Sequence, residues 1–290
     1  MKIFISTLIF SQLVFTGVVF AHETQEVHEE PEASVEAVVE AETITTADLG
    51  VAEPGLLPTS PLYFFKEIGR GLQRAVTFNA VAKTELELKI ASEKAAETKK
   101  VAEQNPDNER GISRALLNYE RAQERLRARL ESLRETSENP NIDRLLDKIA
   151  QKQIVHEKLL EGLEAKHETQ KSIIKNIKAK VQGTLEKAAE KDTPEKFRER
   201  LEQAFEQGKG STLKHLRSIE ILDRLQKSEE LSVEAKEKLQ ALREKLTERA
   251  GENIERFAEQ GEEGTNRLRD ALQQIPGNAL KRSVILEEIR

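Results

Sequence analysis

The chain has 290 residues, 34% of them charged and 37% hydrophobic, a balance on the charged side of ordinary globular usage. It has no cysteine, which excludes disulfides, thiol nucleophiles and thiolate metal sites together. Two tyrosines, no tryptophan and an excess of Glu, Lys, Arg, Ala and Leu predict an all-α fold of elongated antiparallel helical hairpins or a bundle, packed along coiled-coil-like seams.

Met1 and Lys2 precede a largely apolar run from Ile3 to Phe20, and Val19-Phe20-Ala21 then offers small residues where a signal peptidase reads. Residues 1–21 therefore read as an export signal cleaved after Ala21. Left uncleaved, the run is just long enough, at ~18 residues, to anchor the chain in a membrane. Either outcome places the rest outside the cytoplasm, in the periplasm, the cell envelope or the extracellular space. Residues 22–58 hold ten carboxylates and no Lys or Arg, the signature of a disordered acidic linker. Taking those ten and Lys2 from the 52 acids and 46 bases leaves 42 against 45, a net +3 for residues 59–290.

Next comes the stretch Pro54–Glu97. Past the signal the chain has eight aromatic residues, and four of them, Tyr63, Phe64, Phe65 and Phe78, fall here. Large rings bury more area than other side chains, so this block is the expected anchor of the core. Pro61 suits the first position of a helix with Ser60 as its N-cap. Leu62, Phe65, Ile68, Leu72 and Val76 then recur every three or four residues as one apolar stripe, which predicts a docked helix. Gly69 and Gly71 weaken it and permit close approach. Asn79 is placed to cap a second helix running to about Gln104, with Phe78 packing back on the first.

The block PG-x-x-P-x-SPLYF-x-K from Pro54 to Lys66, followed by Thr77-Phe78 and K-x-ELELK-x-A-x-E from Lys83 to Glu93, resembles an uncharacterised family of exported bacterial and archaeal proteins, a domain of unknown function. The chain departs from that pattern at Asn79-Ala80, where the family has Asp-Pro, and at Lys94-Ala95, where it has Arg-Leu. The resemblance implies an exported helical protein and brings no activity or catalytic residue.

Further along, Asn105-Pro106-Asp107-Asn108 marks a turn, after which Ile112, Tyr119, Leu126 and Leu133 recur every seven residues. Asn139-Pro140-Asn141 breaks that seam. A longer one through Ile142, Leu145, Ile149, Leu159, Leu163, Ile174, Ile177 and Val181 predicts a helix from Asn141 to Lys191, bent at Gly162 or Gly183. Successive helices joined by such short turns are expected to be antiparallel neighbours. Thr193 and Pro194 start a new helix, ended by Gly208 and Gly210. An apolar helix around Leu213–Leu225 follows, then one from Ser232 to about Glu259, then two more punctuated by Gly261, Gly264 and Ile275-Pro276-Gly277. The expected organisation is thus a signal (1–21), an acidic linker (22–58), an aromatic-anchored helical hairpin domain (59–191) and a C-terminal helical subdomain (192–290).

Motifs for chemistry are absent from the sequence: there is no GxSxG, Walker loop, HExxH or Gly-rich dinucleotide turn. His156 and His167, eleven residues apart on nearly one face, are separated by ~16 Å of helical rise and read as polar seam residues rather than a metal pair. Interleaved Glu and Lys along the helices read as a solvated face. The Arg121, Arg125, Arg127, Arg129 and Arg134 cluster alternates with Glu120, Glu124, Glu131 and Glu135, which blunts its field and argues against nucleic acid. No catalytic, cofactor-binding or metal residue is assigned, no cofactor is expected, and the oligomeric state is left open. The expected function is a non-enzymatic interaction or scaffold module of the cell envelope with a protein or envelope-polymer partner. The alternative is a hydrolase or metal-handling envelope protein whose site carries no recognisable motif.

Overall fold

The computed structural model describes residues 44–206, 213–259 and 261–262, and the expectations for residues 1–43, for Gly208 and Gly210 and for the helices beyond residue 262 lie outside them. The described residues form α1 (Tyr63–Val76), α2 (Ala80–Gln104), α3 (Glu109–Glu131), α4 (Pro140–Lys166), α5 (Lys171–Glu190), α6 (Pro194–Glu206), α7 (Leu213–Gln226) and α8 (Val233–Glu259), with a 3-10 turn at Glu168–Gln170. They contain no strand, and the fold is all-α.

Helix starts follow the local chemistry of the sequence. Asn79, Asn108 and Asn139 each cap the next helix by accepting an amide hydrogen, from Ala82, Gly111 and Asn141 at 3.0, 2.9 and 2.9 Å. Thr193 does the same for Lys196, with Pro194 in the first turn of α6. The start of α1 differs from expectation. Ser60 and Pro61 sit in a preceding turn, and the helix begins at Tyr63 without a side-chain cap.

Helices α2, α3, α5 and α4 form a four-helix ring in which α2 packs on α3, α3 on α5, α5 on α4 and α4 on α2. Cross-helix contacts set the directions. Glu85 meets Lys148 and Ser92 meets His156, so α2 and α4 run parallel. Glu109 meets Thr169 and Glu124 meets Lys180, so α3 and α5 run parallel as well. The antiparallel neighbours are α2/α3 and α4/α5, while α3 and α4, consecutive in sequence and opposite in direction, stand diagonally. The expected adjacency of α3 and α4 is corrected: α2 and α5 flank both, and α3 meets α4 through the bundle centre, where Tyr119 and Gln123 contact His156.

The expected long helix from Asn141 to Lys191 is two. It breaks at His167–Gln170, a 3-10 turn, while Gly162 and Gly183 remain inside α4 and α5. A hairpin returns the apolar face of α5 to that of α4, placing Ile174, Ile177 and Val181 in one core with Leu159, Leu160 and Leu163. Beyond the ring, α6 packs on α4 and α8, and α7 on α8. Phe197, Leu201, Phe205, Leu222 and Leu239 there share a core with Ile154 of α4 and Leu185 of α5. Arg200 fastens this part to the ring, reaching Asp192 at 2.6 Å, Asp143 at 2.5 Å and also Asp147.

Residues 44–58, expected as the end of a disordered acidic linker, are instead packed on the bundle. Ile44 and Leu49 are buried in one core with Ala95, Ala96 and Leu159, and Val51 and Leu57 pack against it. Acidic residues thin out after Glu42 in this stretch, so its apolar side chains can be buried without stranding charge. Gly50 turns the segment back at φ 76°, and a Cβ there would come within 2.8 Å of Lys152 Nζ. We expect Leu49→Ala to cost about 2 to 5 kcal/mol, measured by urea or thermal unfolding; an unchanged melting curve would show that the segment does not dock.

Candidate functional site

Helix α1 faces the opposite way from its hydrophobic pattern. Its buried residues are Tyr63 and Arg70, whereas Leu62, Phe64, Phe65, Ile68, Leu72, Val76 and the following Phe78 are all more than half exposed. Phe65 is 58% and Phe78 83% exposed, so the aromatic block is not the anchor of the core, and only Tyr63 of its four rings is buried. The reason lies on α2. Glu87, Lys94 and Glu97 are buried there, and a buried carboxylate or ammonium requires a partner. The polar face of α1 supplies those partners, and its apolar stripe is turned out as a result.

The resulting network is dense. Glu97 receives Lys66 and Arg70, each at 2.8 Å, and the Tyr63 hydroxyl. Arg70 also reaches Glu67 and Glu93, both at 2.6 Å. Lys94 donates to the Tyr63 hydroxyl and to Glu67, and its ammonium stands 4.5 Å from the Tyr63 ring centre. Arg74 grips Glu87 through two nitrogens at 2.7 and 3.1 Å, and Arg125 of α3 approaches the same carboxylate at 3.5 Å. Lys66 additionally donates to the Pro54 carbonyl, tying the proline-rich lead-in to α1.

Charge states follow this geometry. Burial would raise the Glu67 carboxyl, but hydrogen bonds and charge from Lys94 and Arg70 outweigh it and hold the group at about 2. Burial alone would lower Arg70, yet Glu93 and Glu97 push it well above its ordinary value. Burial, followed by the Glu97 and Glu67 charges, lifts the Tyr63 hydroxyl far above the usual phenol range, so it stays protonated and can donate. Desolvation pulls Lys94 down, against the attraction of Glu97.

His156 lies at the centre of the ring, fully buried. The Gln123 side-chain amide meets His156 Nδ1 at 2.7 Å, and Nε2 on the other side of the ring faces Ser92 Oγ at 3.3 Å. The Tyr119 ring meets the imidazole edge-on with centroids 5.5 Å apart. The trio joins α2, α3 and α4 across the bundle. His167 stands at the C-terminus of α4 and does not meet His156. Among the described residues, no three His, Asp or Glu side chains gather as metal ligands.

The arginines expected as one cluster diverge. Arg125 turns to Glu87 and Arg127 to Glu230 at 3.4 Å, while Arg121, Arg129 and Arg134 are exposed. A cleft of about 480 Å³ opens between residues 49–53, α2 and α4, where Lys148 pairs with Glu85 at 2.8 Å and Lys152 donates to the Asp48 carbonyl at 3.0 Å. A second buried pair, Glu157 and Glu161 on α4, faces Arg217, Arg224 and Lys178. Burial, with the Glu157 charge next, raises Glu161 to about 7.

Fold and site together define an all-helical bundle whose leading helix is held by ion pairs and presents an apolar stripe to solvent. Residues 55–184 match the family described as Domain of unknown function (DUF5667), a span covering α1 to most of α5. Comparison with curated proteins and with solved structures returns no match. The sequence pattern located the stripe and misjudged its direction; the signal that could have reversed it is the run of Lys66, Arg70 and Arg74 opposite Glu87, Glu93 and Glu97.

Two stability experiments separate the faces of α1. At dilution that keeps the chain monomeric, Phe65→Ala should change stability by less than about 0.5 kcal/mol, whereas Glu97→Ala, which removes the buried carboxylate shared by Tyr63, Lys66 and Arg70, should cost about 3 to 5 kcal/mol. The reverse order in denaturant titrations would return the anchor to the aromatic block.

A third experiment uses pH. Burial, reinforced by the Lys152 charge, depresses His156 from 6.5 to about 3, so the unfolded chain binds a proton that the folded chain refuses. Its stabilising contribution is complete above pH 6.5 and is lost as pH falls towards 3. Glu161 has the opposite sign: its contribution is complete below 4.5 and lost as pH rises through about 7. Comparing His156→Gln with the parent isolates the histidine. The variant should lose less stability between pH 6.5 and 3, by on the order of 4 kcal/mol; parallel pH profiles would refute the assignment.

Proposed function

We propose that this protein is a non-enzymatic interaction or scaffold module of the cell envelope, exported by residues 1–21, whose working surface is the apolar stripe of α1. The observation that carries the reading is the concentration of exposed large apolar side chains. Eight of the ten among the described residues lie between Leu56 and Phe78. Isolated exposed leucines are ordinary, but a contiguous patch of this kind marks an association site. The ion pairs beneath it hold the helix in one orientation, so the surface is set before any partner arrives. Among the described residues no helix is long and apolar enough to cross a membrane, and the export reading rests on residues 1–21 alone.

The test is crosslinking of the tagged full chain in its native envelope with identification of what is captured. The expected outcome is an identified protein or envelope polymer whose capture is lost in Leu72→Asp and kept in His156→Gln. A mature chain beginning at His22 should accompany it. Capture indifferent to Leu72→Asp, or turnover abolished by one Glu, Asp or His substitution, would overturn the reading.

A further inference from the structure

We propose that the partner of the α1 stripe is a second copy of this chain, bound through an antiparallel, two-fold pairing of the α1 helices. The inference rests on the reading of α1 as an association surface and names its occupant. Size is the first argument. The exposed side chains from Leu62 to Phe78 each present on the order of 100 Å² of apolar area, for roughly 700 to 800 Å² together, the share one partner contributes to a standard stable interface.

Shape is the second. Gly69 lies on the exposed face, and a Cβ added there or at Gly71 would meet nothing within 4 Å, so another helix backbone can approach at mid-stripe. A two-fold axis near Arg70 and Gly71 sets Phe65 of one copy against Val76 of the other and Leu72 of each against Gly69 of its mate, large against small at both contacts. Such a patch is self-complementary, as an isologous dimer requires.

Charge is the third, and it separates this occupant from a lipid surface. An interfacial helix gains much of its membrane affinity from free Lys and Arg on its polar face. In α1 those residues are committed: Lys66 to Glu97, Arg70 to Glu67, Glu93 and Glu97, and Arg74 to Glu87. A dry apolar face with neutralised cations fits a matching protein face.

The experiment is sedimentation of the full chain across concentration, with cysteine crosslinking, which is clean because the chain has no cysteine. The parent should sediment as a dimer whose melting temperature rises with concentration, and Leu72→Asp as a monomer whose melting temperature does not depend on concentration and matches that of the diluted, dissociated parent. Gly69→Cys should give dimers with a short bismaleimide, and Ala179→Cys on exposed α5 surface should not. A parent that remains monomeric, or a dimer indifferent to Leu72→Asp, overturns the proposal. A Leu72→Asp monomer that melts earlier than a monomeric parent would assign the stripe to another segment of the same chain. Flotation of the parent with phosphatidylglycerol vesicles, abolished by Leu72→Asp without any dimer in solution, would assign it to lipid. A monomeric parent whose capture of a different envelope protein is lost in Leu72→Asp sinks self-association and leaves the interaction reading standing.

Discussion

Glu97 is the constraint on which the front of this molecule depends. It is buried on α2, and a carboxylate in that position is tolerable only if cations and hydroxyls come to it. Tyr63, Lys66 and Arg70 reach it from α1, and Lys94 lies one turn away on α2. Because these three α1 residues lie on one face, meeting Glu97 fixes the rotation of the whole helix. The apolar stripe is then outward by geometry. Such an arrangement gives up the hydrophobic gain of burying α1 and obtains a single defined orientation from the ion pairs.

Behind this front, α4 organises the rest. Its residues enter all three apolar clusters: Ile142, Leu145 and Ile149 with α2 and α3, Leu159, Leu160 and Leu163 with α5, and Ile154 with α6 to α8. A helix apolar on nearly every side can be satisfied only at the centre of several neighbours. Of the polar groups that it carries inward, His156 meets Ser92 and Gln123 and Glu157 meets Arg224, while the buried Gln153 side chain makes no hydrogen bond among the described residues. The same logic explains the diagonal placement of α3 and α4, since Tyr119 and Gln123 meet His156 through the bundle centre.

The parts that were legible share a cause: their information is local. Asn79, Asn108, Asn139 and Thr193 cap helices wherever they occur before a helical run, and the end of α2 at Gln104 follows from the Asn-Pro turn beyond it. His156 as a polar seam residue was readable from its place in the seven-residue spacing. The break at His167–Gln170 was not, because no proline or glycine marks it and only the return of α5 onto α4 requires it. Burial of Leu49 was hidden by the acidic composition around it. The orientation of α1 was hidden by a stripe whose regularity argues for burial in any isolated helix.

Sequence alone determined that this chain is helical and where most helices begin, since capping, helical period and composition act within a few residues of each other. Which face of α1 meets the bundle was decided only in three dimensions. There, the desolvation cost of Glu87, Lys94 and Glu97 is weighed against the apolar area of Phe65, Ile68 and Leu72, and the buried charges, which the polar face of α1 pairs, prevail.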